Sequence, residues 1–465
     1  MTTTSIGTAS GRDSASRRIT EQEVFLAAVV AFPFMIANAR MLRSLPGFPL
    51  FSVLREVSTT ALIIPFIIIV LYFYLRHGLR TSPLAGGATL VPILVLSVGG
   101  SLFSETSIKE LVQGLYMVFM PPLIAQTILG FDRWSVRPQR IMAMLLTIAA
   151  VNVLPGLYTF LQFGLGGDVY FTYRGYRVNR FDVVNGFFSD SHQFSIFFFM
   201  MAVFAAGYYH RQRRTMVLLA GALTAVGFLG YNAKALLVFL LLAGVFAVAA
   251  LYRKRPGLVV VAGLAAAGLS GALYSVAVDY DNRIELFTDI SPADAPVLNP
   301  LLKVVDVYSE HPEVAVAGAG FGNYGSTIAV ARANATGAMS PLARKHNGYS
   351  IWAMTSKDET LNQSSEFISF LSFNINTLTS LFVEIGFIAG FSLMAFYWRT
   401  VHRLLVSGDE DRYDPAPGRA IAFYLIFVFI NSLLVLWGSY DDEVAIIPAM
   451  VLAASELRNR TARTP

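Results

Sequence analysis

The chain has 465 residues, of which 55% are hydrophobic and only 14% charged, with a formal net charge of +5. Its mean hydropathy is +0.57, which together with so few charges excludes intrinsic disorder and a soluble protein built on one core. There is no cysteine, so disulfides, thiolate zinc sites, iron–sulfur clusters and cysteine nucleophiles are excluded as well. The apolar residues run continuously, which indicates helices; a β-barrel would show alternating segments of about ten residues. The expected class is an all-α polytopic membrane protein. The six histidines are scattered, and neither a metal site nor a cofactor is expected.

A bilayer core of about 30 Å takes about 20 apolar residues per helix. That window gives about twelve transmembrane helices. A Ser/Thr-rich tail at 1–21 lacks a cleavage signal and leads into a retained first helix. The spans then fall at 22–40, 57–75, 83–102, 108–130, 141–163, 192–209, 215–232, 235–252, 257–278, 377–398, 420–437 and 443–456. A second short tail occupies 457–465. With the N-terminus in the cytoplasm, most of the 35 Lys and Arg residues fall in cytoplasmic connections, among them Arg76, Arg133, Arg137, Arg140, Arg211, Arg419, Arg458 and Arg460. This is the positive-inside pattern, and it makes both termini cytoplasmic.

Two external loops hold the polar chemistry. In the short loop at 164–191, Arg174, Arg177 and Arg180 recur every three residues among Tyr170, Tyr173 and Tyr176. Guanidinium forks match phosphate and aromatic faces suit sugars, so one reading is a site for a phosphate-bearing glycan. The other reading is contact with lipid headgroups or pairing with Asp168, Asp182 and Asp190.

The large loop at 279–376 is too long for a simple connector. Leu301, Leu302, Val305 and Tyr308 have helical spacing, which predicts an amphipathic helix on the membrane surface, ending at His311-Pro312. Gly318-Ala319-Gly320-Phe321-Gly322-Asn323-Tyr324-Gly325 follows. It reads either as a tight turn whose amides approach an anion or as a flexible turn. No strand precedes it, so a dinucleotide fold is a poor reading.

Glu384 lies inside the apolar run 377–398, where an ionisable group is expensive and points to function. The competing reading is structural pairing, with Lys234 or an external arginine. Lys234 itself either reaches outward or faces a substrate. Gly386 and Gly390 have the spacing of close helix packing.

The arrangement resembles the O-antigen polymerase and O-antigen ligase family of bacterial inner-membrane glycosyltransferases. The likeness covers most of the chain in layout. Arg180 followed by Gly186-Phe187-Phe188 is similar to the family's Arg and G-x-F element. Asn232-Ala233-Lys234-Ala235 stands where the family often has Ser-Arg-Gly. The Pro312–Tyr324 stretch resembles its large-loop motif, and Asn376 with Glu384-Ile385-Gly386-Phe387-Ile388-Ala389-Gly390 its closing motif. Two positions depart from the pattern. Ile375 stands where ligase members carry His, and Ser191-His192 where the family has Asn.

The resemblance implies a lipid-donor (GT-C-like) architecture and a metal-independent polysaccharide polymerase for O-antigen or exopolysaccharide. The donor would be an undecaprenyl-pyrophosphate-linked oligosaccharide at the periplasmic face. The alternatives are ligation onto a lipid A core, or a twelve-helix transporter or flippase. Glu384 would be the general base. Arg174, Arg177, Arg180 and Lys234 would hold pyrophosphate, and Gly320, Asn323 and Asn376 would contact substrate. Membrane lipid, a chain-length regulator and a flippase are the expected partners, and nucleic acid is not.

Overall fold

A computed structural model describes residues 20–42, 59–80, 87–161, 170–173, 176–179, 191–230, 298–347, 377–406, 414–434 and 443–461. The described chain is a helical protein. Its first half holds α1 (Glu21–Leu42), α2 (Thr59–Arg76), α3 (Gly87–Leu102) and α4 (Ile108–Gly114). A π turn at Leu115–Phe119 joins α4 to α5 (Met120–Gly130), and α6 (Pro138–Thr159), α7 (Ser191–Tyr208) and α8 (Arg213–Leu229) follow. The large loop contributes α9 (Leu298–Glu310), α10 (Pro312–Ala317) and α11 (Thr327–Thr336). The chain closes with α12 (Thr377–Ile385), α13 (Phe387–Val406), α14 (Ala416–Leu434) and α15 (Glu443–Thr461). The predicted spans at 235–252 and 257–278 lie outside the described residues.

Among the described residues two helices, Ile108–Gly130 and Pro138–Thr159, are long and apolar enough to cross a membrane. Shorter apolar helices cover Ala61–Arg76, Leu90–Leu102, Gln193–Tyr208 and Ala416–Ile430. α7 is the innermost of these. Its run of Phe194, Ile196, Phe197, Phe198 and Phe199 has no polar face and is buried all round, against α8, α14, α15 and α6. The outer helices are apolar on their free sides too. On α2, Ile68, Tyr72 and Leu75 are more than half exposed, and so are Val151, Leu154 and Tyr158 on α6. Extended exposed apolar surface of this kind marks a membrane or protein contact.

The polar connections gather at two ends. At one, Arg76 pairs with Glu21 at 2.9 Å and Arg140 with Glu23 at 2.7 Å. Arg211 pairs there with Asp414 at 3.2 Å. The Arg458 guanidinium donates to the Phe131 and Asp132 carbonyls, and the Trp134 indole to Ser455. We call this the basic end. At the other end, residues 101–110 meet the large loop.

Three features depart from the sequence reading. The segment between α6 and α7, read from sequence as a loop, contains an antiparallel hairpin, β1 (Tyr170–Tyr173) with β2 (Tyr176–Asn179), in which Thr172 is registered opposite Arg177. The amphipathic helix forms and stops before His311 as predicted, but its face is split. Val304, Val307 and Tyr308 pack inward beside Tyr324 and Val383, whereas Leu302 and Val305 are exposed. The predicted span 377–398 is not one helix. It breaks at Gly386, whose φ of +86° an L side chain rarely adopts, and whose missing Cβ would lie 2.9 Å from both Gly318 N and Val316 O.

Candidate functional site

The break exposes helix-end carbonyls that must find donors, and the glycine turn supplies them. Tyr308 Oη donates to the Phe382 carbonyl at 2.8 Å. The amides of Ala319 and Gly320 donate to Val383 and Glu384 carbonyls at 2.8 and 3.0 Å. Gly318, Gly320 and Gly322 all have positive φ, so the turn runs along α12 without side chains in the way. Phe321 then fills the space over Gly114, where a Cβ would collide with its ring.

Glu384 sits at the centre of this interlock and is fully buried. Its Oε1 accepts from the amides of Tyr324 and Ser326, each at 3.3 Å. Its Oε2 meets no hydrogen-bond partner among the described residues. The amides that follow the turn therefore approach an acidic side chain of the protein itself, the Glu384 carboxyl group. Among the described residues no cation pairs with Glu384; Lys234 lies outside them.

Asn323 is the second hub. Its Nδ2 donates to Ser104 Oγ, Thr106 Oγ1 and the Ala319 carbonyl at 3.2, 3.0 and 2.9 Å. Its Oδ1 accepts from Arg332 Nη1 at 2.8 Å. Thus Gly320, Asn323 and Glu384 are brought together, with Asn323 spent on residues 104–106, Ala319 and Arg332, and Glu384 on the Tyr324 and Ser326 amides through one of its two oxygens. Of the other expected site residues, Arg177 lies in β2. Arg174, Arg180, Lys234 and Asn376 lie outside the described residues.

Sequence reasoning missed the groups that complete the contact. Arg332 stands 3.6 Å from Glu105 and 3.7 Å from Glu110. Glu110 also accepts the Ser107 amide at 2.7 Å in a capping box. The Ser107-x-x-Glu110 spacing is a readable helix-start signal; nothing local links it to Arg332.

A neighbouring polar cluster lies on the loop itself. Lys303 Nζ donates to the His346 carbonyl at 3.0 Å, and Asn347 Nδ2 to the Tyr324 carbonyl at 3.3 Å. His346 Nε2 lies 3.5 Å from Glu310, which also pairs with Lys345. Burial pushes the His346 imidazole and the Lys303 amine below their ordinary values, and the Tyr324 phenol up to about 12. Among the described residues no three His, Asp or Glu side chains converge as metal ligands.

The chain matches no family model, no curated protein and no solved structure in these comparisons.

Proposed function

We propose that this chain is a multi-pass inner-membrane glycosyltransferase, a polysaccharide polymerase acting at the external face. The observation that carries the reading is the seating of the large loop. Its described part, 298–347, is locked to the broken helix at the end of the bundle away from the basic end. Under the positive-inside pattern that end faces outward. The exposed apolar stripes on α2 and α6 supply the membrane-facing surface that such a protein needs.

In this reading an acceptor hydroxyl oxygen attacks the anomeric carbon of the undecaprenyl-pyrophosphate-linked glycan. The anomeric C–O bond breaks, and the lipid pyrophosphate leaves with the bonding pair. Arg174, Arg177, Arg180 and Lys234 provide fixed positive charge for that leaving group. The loop positions the acceptor. A general base must come within hydrogen-bond reach of the proton it takes. Glu384 is enclosed and bound to two amides, so its geometry favours a positioning role, with catalysis requiring the carboxyl to leave those amides.

Transport is the second reading, because broken membrane helices build the binding sites of many transporters. Here the freed carbonyls of residues 382–384 are taken by the loop and not left for an ion or substrate. Ligation is weakened by Ile375 at the position of the family's His.

Purified protein in proteoliposomes, supplied with lipid-linked oligosaccharide, tests the proposal. Elongated glycan is expected, and Arg177→Ala or Arg180→Ala should abolish it in protein that still inserts. Translocation of intact donor without elongation would overturn the enzymatic reading.

A further inference from the structure

Two helices measure how far the interlock stands from the basic end. Gly130 lies at that end, where its missing Cβ would meet the His77 carbonyl. Gly114, which seats Phe321 of the glycine turn, belongs to the same helical run, Ile108–Gly130. At 1.5 Å per residue, about 24 Å of helix separates the two. On α13, Arg460 holds the Leu404 carbonyl at the basic end, and about 27 Å of helix leads from there to the break at Gly386. The two measures agree, and any tilt of the helices only lowers them. The hydrocarbon core of a bilayer is about 30 Å thick. With the basic end at the inner headgroups, the interlock comes level with the outer edge of the hydrocarbon and does not stand clear of it.

The surface at that height is apolar. Val316 on α10 and Phe387, Ile388 and Phe391 at the start of α13 are each about half exposed. They are contiguous. The Val316 backbone abuts Gly386, and the rings of Phe382, Phe387 and Phe391 follow one another at 5.8 and 6.0 Å. No charged residue occurs from 387 to 398. Ser392 turns its hydroxyl onto the Ile388 carbonyl at 2.7 Å, which is how a helix satisfies a hydroxyl that water does not reach. The stretch ends at the exposed Trp398, followed by Arg399, an aromatic and a cation of the kind that mark the inner membrane boundary. Residues 320–326 of the turn, by contrast, are buried. Non-helical backbone at membrane depth is tolerated where protein encloses it in this way.

We propose that the interlock is seated in the outer leaflet, where Val316, Phe387, Ile388 and Phe391 form a docking face for lipid acyl chains. The occupant is lipid and not a second copy or a soluble partner, because the face runs unbroken into the apolar side of α13 at bilayer depth. The proposal rests on the membrane part of the reading above and not on its chemistry. It lets an amphiphilic substrate meet the loop from within the leaflet.

The chain has no native cysteine, so single cysteines can carry a fluorophore in the full-length protein. The labelled variants are placed in phosphatidylcholine nanodiscs with and without nitroxide-bearing acyl chains, which quench on contact. Leu154→Cys on α6, exposed and at a similar height, is the reference. Ala338→Cys, exposed beyond α11, is the aqueous control. Phe391→Cys and Ile388→Cys should lose as much fluorescence as Leu154→Cys, and Ala338→Cys none. Val316→Cys should be quenched most by a nitroxide close to the headgroup. Ile388→Cys keeps the test open if Phe391→Cys misfolds. Quenching at Leu154 but not at Ile388 and Phe391 overturns the proposal alone. Labelling of Phe391→Cys by an impermeant maleimide, or its disulfide-linked dimer, then identifies water or a second copy as what covers the face. Quenching that stops short of Val316 also overturns it, because the loop is then outside the leaflet. No quenching at Leu154 overturns the membrane reading and the proposal together.

Discussion

Gly318→Ala is the sharpest probe of the interlock between the large loop and the broken helix. Gly318 has φ 78° and ψ 163°, a region that is essentially reserved for glycine and costs a side chain about 1–3 kcal/mol. The added Cβ would lie 2.4 Å from the Glu384 carbonyl oxygen and 2.6 Å from the Ile385 carbonyl carbon. These are backbone atoms, so the turn must move away from α12. That movement breaks the Ala319–Val383 and Gly320–Glu384 hydrogen bonds, worth about 1 kcal/mol each. The combined loss is about 3–5 kcal/mol, and it falls on local opening of the loop more than on the membrane helices. Amide hydrogen exchange at Ala319 and Gly320 should therefore accelerate by about a hundredfold to several thousandfold, at about 1.4 kcal/mol per factor of ten. Mass spectrometry of the protein in nanodiscs reads this directly. Acceleration below about tenfold, with the melting temperature unchanged, would refute the claim that these two bonds hold the loop.

Three other outcomes follow from the same structure. Glu384→Gln puts an amide donor where Oε2 has no acceptor, at about 1–3 kcal/mol. Protease cleavage of the loop should rise while elongation falls in step, whereas a protected but inactive variant would restore Glu384 as the base. Because the chain has no native cysteine, Ala338→Cys should react with an impermeant maleimide added outside and Gln212→Cys should not; the opposite pattern reverses the topology. His346 has a lowered imidazole value in the folded loop, so between that value and about 6.5 the unfolded state binds more protons and stability rises with pH. The loop should hold fully above about pH 6.5 and loosen as the pH falls below it, with Glu310 and Asp306 opposing the effect and Lys303 and Lys345 adding to it. His346→Gln should flatten the protease sensitivity measured from pH 7.5 to 5.5, and an unchanged slope would assign the loosening to other groups.

The helices were legible where a signal is local. The span at 108–130 coincides with the observed Ile108–Gly130, and Pro312 stops α9 where a proline should. The break at Gly386 was not legible. A glycine in an apolar run reads as a packing residue, and its partners Val316 and Gly318 come from a distant part of the chain. The glycine turn and Glu384 were each singled out, yet their bond spans 60 residues of sequence, and one chain carries no mark of that pairing. Arg332 was passed over for the same reason, since an arginine in a polar loop looks solvated until Glu105 and Glu110 are placed beside it. Composition made the apolar exterior readable in bulk. Which stripe of α2 or α6 faces outward depends on the neighbours that cover the rest.

The break at Gly386 starts α13 against Val316 and Gly318 of the large loop, and its other end is also held. Leu404 O accepts from Arg460 Nη1 at 3.3 Å, and Arg460 stands 4.0 Å from Glu456 at the basic end. The 20 residues of α13 thus form one strut of about 30 Å, gripped through backbone atoms at both tips. The loop's hydrogen bonds end on residues 382–384 of α12, before the break, so the strut meets the loop by backbone packing at Gly386 while a guanidinium holds its far tip.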